Sequence, residues 1–132
     1  MQEQIPVILL LEDQEQARFV IHAVLEGAGY GVVDATNEDD ALAICGRSDQ
    51  RIDAMVSDVI LSSTRGTDVA QKIKLFRPSL PILFVSGFGM DDLVSRGLLE
   101  SDHLSAARVS FLQKPFAPQT LLAAVDSLLV QP

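Results

Sequence analysis

Short apolar runs alternate along the chain with longer segments in which apolar residues recur every three or four positions. Continuously apolar short runs are typical of strands in a parallel sheet that is buried on both faces. The longer periodic segments are typical of helices that cover such a sheet. The alternation predicts five strands and five helices. The predicted strands are Ile5 to Leu11, Tyr30 to Ala35, Ile52 to Ser57, Pro81 to Ser86 and Val109 to Gln113.

Three of the predicted helices have recognisable ends. In the first, apolar residues recur at helical spacing from Ala17 to Ala28, and Gly29 follows as a C-terminal glycine. Thr36 or Asn37 is expected to cap the second, whose first turn is acidic. Pro118 opens the last helix at a first-turn position. The residues predicted to face inward from it are Leu121, Leu122, Val125, Leu128 and Leu129.

The third and fourth helices are expected to be short. One face of the third is marked by Val69, Ile73 and Phe76. That helix should end before Pro78, because the residue before a proline avoids helical geometry. A short helix is expected within Asp91 to Leu99, followed by an extended connection from Glu100 to Ala107. Leu98 and Leu99 should either form an exposed partner surface or pack as a lid over the core.

The alternation of strands and helices also predicts the fold class. Right-handed crossovers place helices on both faces of a parallel sheet, so we expect an α/β fold with a doubly wound sheet. The chain has 132 residues, the size of one domain, and no linker or repeat divides it. We expect residues 1–132 to form a single domain with no output domain. Ligands of such sheets collect beyond the carboxyl ends of the strands.

Charge and composition narrow the functional classes. The formal net charge is −8 and the ten basic residues are scattered, so no nucleic-acid-binding surface is expected. No apolar run reaches the roughly 18 residues that a membrane span needs. The single Cys45 lies in a helical pattern and has no partner for an internal disulfide, so a buried and unreactive thiol is expected. These features fit a cytoplasmic protein.

Three carboxylates, one hydroxyl and one ammonium group lie at or just after the carboxyl ends of the predicted strands. Glu12 and Asp13 follow the first strand, Asp58 the third, Ser86 the fourth and Lys114 the fifth. Carboxylates packed together repel one another unless a cation is supplied. Mg²⁺ prefers oxygen ligands in octahedral geometry. The sequence therefore predicts a magnesium site at this edge of the sheet.

The same residues suit phosphoryl transfer, which depends on positioning and on the neutralisation of charge. Asp58 would be the carboxylate nucleophile that forms an acyl phosphate. Lys114 and the Ser86 hydroxyl would each bind a phosphoryl oxygen. The expected Mg²⁺ ligands are Glu12, Asp13, Asp58 and the backbone carbonyl of Ile60.

Four segments carry a family resemblance. LLLEDQ, MVSDVIL, ILFVSGF and FLQKPF, in this order and spacing, resemble the receiver domain of two-component response regulators over nearly the whole chain. The resemblance implies a flavodoxin-like (βα)5 sheet of order 2-1-3-4-5. It implies that Asp58 is the phosphoacceptor, Glu12 and Asp13 the acid pair, Ser86 the hydroxyl switch and Lys114 the invariant lysine. The chain would then be no enzyme, but a phosphoacceptor that assists its own phosphoryl transfer and dephosphorylation.

The resemblance also implies a cis peptide bond between Lys114 and Pro115. Such bonds are costly except before proline. An aromatic side chain at Phe111 would turn inward when Ser86 moves toward the phosphoryl group. Phe111 replaces a frequent tyrosine and lacks its hydroxyl, so the exposed rotamer should be less favoured. Ser62 stands where receivers often carry proline. The loop from Ser62 to Gly66 is therefore expected to be more mobile.

The implied partners are a histidine kinase or histidine phosphotransfer protein as phosphodonor, and an unknown downstream protein. The downstream contact is expected around the fourth helix, the fifth strand and the fifth helix. The chain could be a single-domain regulator or a module of a hybrid histidine kinase. The alternative function is a protein-binding module that uses the same fold without phosphorylation.

Other functions fit the residues less well. An aspartate-nucleophile phosphatase has a second aspartate two positions after the nucleophile, where this chain has Ile60. A nucleotide-binding protein needs a glycine-rich loop after the first strand, where Glu12 and Asp13 offer negative charge instead. His22 and His103 are expected to be solvated, and neither is placed to act as a phosphodonor.

Overall fold

The computed structural model describes residues 4–100 and 108–130. Within these ranges, five parallel strands form one sheet in the predicted order, 2-1-3-4-5. The register pairs Asp58 with Val85 and Ser86 with Gln113, so the carboxyl ends of the last three strands meet at one edge. The strands are β1 (Val7–Leu11), β2 (Gly31–Ala35), β3 (Ala54–Asp58), β4 (Ile82–Ser86) and β5 (Val109–Gln113).

Helices connect and cover the strands, as the periodicity predicts. None of the helices within the described ranges is long and apolar enough to cross a membrane. The helices are α1 (Glu15–Gly27), α2 (Glu38–Cys45), α3 (Gly66–Ile73), α4 (Met90–Ser95) and α5 (Pro118–Val130).

The sheet separates two apolar layers. Residues Leu9 and Leu11 of β1 face the layer under α2, α3 and α4, whereas Ile8 and Leu10 face the layer under α1 and α5. All four are buried, which explains why this strand is continuously apolar. Burial of one such side chain contributes about 1.5–3 kcal/mol. Cys45 is buried in the first layer, as predicted, and burial raises the pKa of its thiol.

Two predicted helix ends are confirmed. The Asn37 side chain accepts a hydrogen bond from the backbone N–H of Asp40 at 2.8 Å and thereby caps α2. Gly29 adopts a φ of 97° just after α1, a conformation that L side chains rarely adopt. The predicted inward residues of α5 are buried or half-buried: Leu121, Leu122, Val125, Leu128 and Leu129.

The placement of Phe76 on the inner face of the third helix was wrong. The helix ends at Ile73, and Phe76 lies in the following turn with about half of its surface (52%) exposed. The next residue, Arg77, is half-buried and bonds carbonyl groups at and just after the end of α2. Its guanidinium donates to the carbonyl oxygens of Cys45 at 3.0 Å, Arg47 at 2.8 Å and Gln50 at 2.7 Å.

The fourth helix is short, as predicted, and begins one residue before the predicted range, at Met90. It ends at Ser95, and Gly97, with a φ of 73°, turns the chain so that the Leu98 N–H donates to the carbonyl of Leu93 at 2.9 Å. Leu99 is fully buried and Leu98 packs against the same layer, so these leucines cover the core. The predicted extended connection lies largely outside the described residues, as does His103.

Candidate functional site

Three residues predicted from separate strand ends lie in direct contact. The Lys114 Nζ is 2.7 Å from Glu12 Oε1 and 2.9 Å from Asp58 Oδ2. Parallel strands bring their carboxyl ends to one edge, so residues 102 and 56 positions from Lys114 reach the same ammonium group. The structure therefore contains a cluster of two carboxylates that share one cation.

Asp58 ends β3 and is held from two sides. Its Oδ1 accepts a hydrogen bond from the backbone N–H of Ile60 at 3.0 Å, and its Oδ2 accepts from Lys114. Its side chain keeps 12% of its surface exposed. The carboxylate is therefore fixed in orientation and open to a small reactant at the end of the sheet.

Glu12 is almost completely buried, with 1% of its surface exposed. Burial raises its pKa; the negative charge of Asp58 acts in the same direction, and Lys114 opposes both. Its Oε2 is buried and has no hydrogen-bond partner among the described residues. A buried carboxylate oxygen without a donor is costly. The position therefore favours a further cation beside Lys114.

Lys114 keeps its charge although it is half-buried. Burial alone would lower its pKa, but the hydrogen bonds and charges of Glu12 and Asp58 outweigh that effect and raise it. The backbone also fixes the residue, because the Lys114 N–H donates to the Ser86 carbonyl at 2.8 Å. The peptide bond between Lys114 and Pro115 is cis, at the place predicted from the sequence.

Asp13 has a different partner. Its Oδ2 accepts a hydrogen bond from the backbone N–H of Ser62 at 2.6 Å, and the Ser62 hydroxyl donates to the same oxygen. Partial burial alone would raise the pKa of Asp13, but the hydrogen bonds from Ser62 lower it. Sequence reasoning missed this contact. The signal for it was the replacement of a frequent proline, which has no N–H and no hydroxyl, by serine.

The loop after β3, which was expected to be more mobile, carries a hydrogen-bond network. The Leu61 N–H donates to the Thr64 carbonyl at 3.0 Å, and the Gly66 N–H donates to the Val59 carbonyl at 2.7 Å. The Arg65 guanidinium donates to the Gly97 carbonyl at 2.9 Å. These contacts fix the loop that presents Ser62 to Asp13.

Gly66 is a second residue that sequence reasoning missed. A Cβ at this position would lie 1.9 Å from the backbone oxygen of Asp58 and 2.8 Å from Ser57 Oγ. Only glycine allows the start of α3 to approach β3 so closely. A glycine eight positions after the candidate nucleophile was the available signal.

The two candidate switch residues lie on neighbouring strands, Ser86 at the end of β4 and Phe111 in the middle of β5. Ser86 is buried at the end of β4, and its Oγ accepts a hydrogen bond from the Phe88 N–H at 3.1 Å. Phe111 is half-buried in β5 and packs against the layer beneath α4. The predicted movement of both side chains stays a prediction, as does the metal contact of the Ile60 carbonyl.

The charges of the site fit a hard divalent cation. Glu12, Asp13 and Asp58 are oxygen donors of the kind Mg²⁺ prefers, and Lys114 alone cannot balance three carboxylates. Across residues 4–100 and 108–130, no three carboxylate, histidine or cysteine side chains are arranged to hold a metal ion together. The chemistry of the donors therefore fits Mg²⁺, while the side chains must still close around it.

His22 lies elsewhere, on α1. It is 29% exposed, and its Nδ1 is 2.9 Å from Asp34 Oδ1 while its Nε2 is 3.3 Å from Glu26 Oε2. The hydrogen bond with Asp34 is the main reason why the pKa of His22 is raised. His22 therefore belongs to a surface ion-pair cluster on α1 and β2.

Comparison with known proteins decides the family. The sequence model of the response regulator receiver domain matches residues 8–126. The chain belongs to the response regulator receiver family. A receiver is the phosphoacceptor switch module of two-component systems, and this class of function agrees with the sequence prediction.

Individual relatives agree with the family. The receiver is 30% identical over 122 residues to the sensor kinase CckA of Brucella abortus, which covers 92% of this chain and 12% of that protein. It is 32% identical over 122 residues to the response regulator MprA of Mycobacterium leprae, which covers 92% of this chain and 50% of MprA. The receiver thus spans at most about half of these two proteins.

Solved structures have the same fold. The crystal structure of the receiver domain from the hybrid histidine kinase CckA matches with a TM-score of 0.75 and 28% identity, covering 93% of this chain and 98% of that one. A response regulator receiver protein from Sinorhizobium medicae matches with a TM-score of 0.78 and 25% identity, covering 96% and 95% of the two chains. The flavodoxin-like topology predicted from the sequence is thereby confirmed.

Proposed function

We propose that this receiver accepts a phosphoryl group on Asp58 in a Mg²⁺-dependent reaction. The observation that carries the proposal is the fixed Asp58 carboxylate, which Lys114 Nζ holds at 2.9 Å and the Ile60 N–H at 3.0 Å. Lys114 also bonds Glu12 at 2.7 Å, which links the nucleophile to the acid pair. This arrangement supports positioning and neutralisation of charge, the two requirements of phosphoryl transfer.

In the proposed reaction, a carboxylate oxygen of Asp58 attacks the phosphorus of the donor. The new bond joins that oxygen to phosphorus, while the bond from phosphorus to the donor breaks and its electron pair leaves with the donor. Lys114 turns its ammonium toward the phosphoryl oxygens, and the Ser86 hydroxyl donates to one of them. Mg²⁺, held by Glu12, Asp13 and Asp58, would supply positive charge to the carboxylates and the phosphoryl oxygens.

The partners belong to the same proposal. The donor is a phosphohistidine of a histidine kinase or of a histidine phosphotransfer protein, and the output is a contact with a downstream protein around α4, β5 and α5. Residues 1–132 act as one receiver module. A cytoplasmic location fits these partners and the buried Cys45 thiol.

The test is the intact mass of the protein after incubation with acetyl phosphate, with and without Mg²⁺. Wild type should gain one phosphoryl mass only with Mg²⁺, and Asp58→Asn should gain none. Asp53→Asn is the matched control, because Asp53 lies before β3, where it accepts hydrogen bonds from Val7 N–H and Arg51. Asp53→Asn should gain the same mass as wild type.

Undiminished labelling of Asp58→Asn would contradict the assignment. The experiment is repeated with a second donor, a phosphorylated histidine phosphotransfer protein, because some receivers accept a phosphoryl group only from a protein. A folded wild type that takes a phosphoryl group from neither donor would favour the alternative, a protein-binding module that works without phosphorylation.

A further inference from the structure

Two donors of one residue converge on one oxygen of Asp13. The backbone N–H of Ser62 is 2.6 Å from Asp13 Oδ2, and the Ser62 hydroxyl donates to the same atom. Asp13 lies in the loop after β1 and Ser62 in the loop after β3, 49 positions further along the chain. Hydrogen bonds to a charged acceptor are about twice as strong as those between neutral groups.

The contact gives the two members of the acid pair, Glu12 and Asp13, different hydrogen-bond partners. Lys114 binds Glu12 and Asp58, whereas Ser62 binds Asp13. In the part of the chain that the structure describes, no three ligand side chains are arranged around a common metal position. Because a carboxylate oxygen has two lone pairs, a metal ion that binds Asp13 through Oδ2 has to displace at least one of the two donors from Ser62.

The donors are in place before any ion arrives. Ser62 is exposed, but its loop is closed by the hydrogen bond from the Leu61 N–H to the Thr64 carbonyl at 3.0 Å. The adjacent Gly66 N–H is fixed on the Val59 carbonyl at 2.7 Å. These backbone contacts hold the Ser62 N–H beside Asp13.

We propose that Ser62 is a positioning residue that competes with Mg²⁺ for Asp13 and so sets the metal affinity of this receiver. The inference rests on the proposed function, because it concerns the same metal site. Ser62 stabilises the metal-free arrangement through its hydroxyl and its N–H. Removal of the hydroxyl takes away one of these two competitors and leaves the metal ligands untouched.

The test is a Mg²⁺ titration of the unphosphorylated protein, followed by the NMR shifts of backbone amides around the site. Ser62→Ala should lower the Kd for Mg²⁺ by roughly tenfold or more, the size expected for the loss of one hydrogen bond to a charged acceptor. Ser62→Thr keeps the hydroxyl and should bind Mg²⁺ like wild type. Ser63→Ala, a neighbouring exposed serine, should leave the Kd unchanged.

A second pair of variants shows whether Ser62 acts through Asp13. In an Asp13→Asn background, the change Ser62→Ala should no longer tighten Mg²⁺ binding, because the carboxylate that both compete for is gone. A tightening of the same size in that background would contradict the mechanism.

The outcomes separate the two proposals. Wild-type protein that binds Mg²⁺, with a Kd that Ser62→Ala leaves unchanged or raises, would overturn the role of Ser62 and leave the phosphorylation site intact. Wild-type protein whose amides do not respond to Mg²⁺ would contradict the metal site and this inference together.

Discussion

Gly66 lies so close to Asp58 that a Cβ on the glycine would be 1.9 Å from the backbone oxygen of the aspartate. The approach is reinforced by the Gly66 N–H, which donates to the carbonyl of Val59 at 2.7 Å. The start of α3 is thus joined to the end of β3 directly behind the candidate phosphoacceptor. A side chain here would displace the backbone that carries Asp58.

The first prediction follows from that contact. Gly66→Ala should lower the free energy of unfolding by about 1–3 kcal/mol, because overpacking forces the backbone to move. Gly27→Ala is the matched control: apart from its chain neighbours and the backbone of α1 itself, no atom lies within 4 Å of its Cβ position, at the end of α1. That change should be neutral or stabilising by up to about 1 kcal/mol. Urea unfolding of both variants measures the difference, and equal effects would contradict the steric argument.

Local pattern was enough to predict the strands and the convergence of Glu12, Asp58 and Lys114. Glu12 follows and Asp58 ends a buried strand, and Lys114 follows the half-buried β5. A parallel sheet brings such strand ends together whatever the sequence distance. The same reasoning gave β5 its observed bounds, Val109–Gln113. The alternation of strands and helices was therefore enough to predict most of the fold, and the positions at strand ends were enough to predict the centre of the site.

Contacts between loops could not be predicted in that way. Ser62 bonds Asp13 across 49 positions, and the Arg77 guanidinium bonds three carbonyl groups at and just after the end of α2. A prediction from hydrophobic periodicity places apolar residues on the inner face of a helix and arginines on the outer face. It does not register the carbonyl groups left unpaired at the end of a helix, which an arginine side chain can satisfy.

The second prediction concerns Lys114, which bonds both Glu12 and Asp58. Lys114→Ala should slow phosphorylation by acetyl phosphate at saturating Mg²⁺ about 100-fold, the usual effect of the loss of one charge-stabilising donor. Lys74→Ala, at the C-terminal end of α3 and away from the strand ends, should react like wild type. The rate of phosphoprotein formation is followed by intact mass. A Lys114→Ala rate within threefold of wild type would rule out the proposed role.

The third prediction concerns the buried oxygen of Glu12 that has no hydrogen-bond partner among the described residues. In chelator at neutral pH, Glu12→Gln should be more stable than wild type by an amount on the order of 1 kcal/mol, because the change removes one of the two carboxylates that share Lys114 and leaves Lys114 paired with Asp58. Addition of Mg²⁺ should stabilise wild type and stabilise the variant less. Urea unfolding with and without Mg²⁺ checks both statements. A Glu12→Gln variant that is less stable than wild type in chelator would show that the negative charge of Glu12 does not destabilise the metal-free protein.

The fourth prediction is a pH dependence of stability from His22, whose ring nitrogens face Asp34 and Glu26. Its pKa is raised in the folded protein, chiefly by the hydrogen bond with Asp34. The contribution of His22 to the stability of the folded protein is therefore fully present below its pKa in the unfolded chain, about 6.5. That contribution is lost as pH rises through the higher pKa of the folded protein. His22→Gln should destabilise the protein by about 0.2–1 kcal/mol at mildly acidic pH only, where the ring is charged and its carboxylate partners are still ionised, as expected of an exposed pair.

Asp34→Asn separates this effect from other titrations, because it removes the main partner and leaves the histidine in place. In that variant, the NMR titration midpoint of the His22 ring should move down toward the ordinary value, and the pH-dependent part of the stability should shrink with it. Glu26→Gln should have the smaller effect of the two, since its oxygen lies at 3.3 Å and that of Asp34 at 2.9 Å. A His22 midpoint that does not change in Asp34→Asn would show that the contact between α1 and β2 is not what raises the pKa.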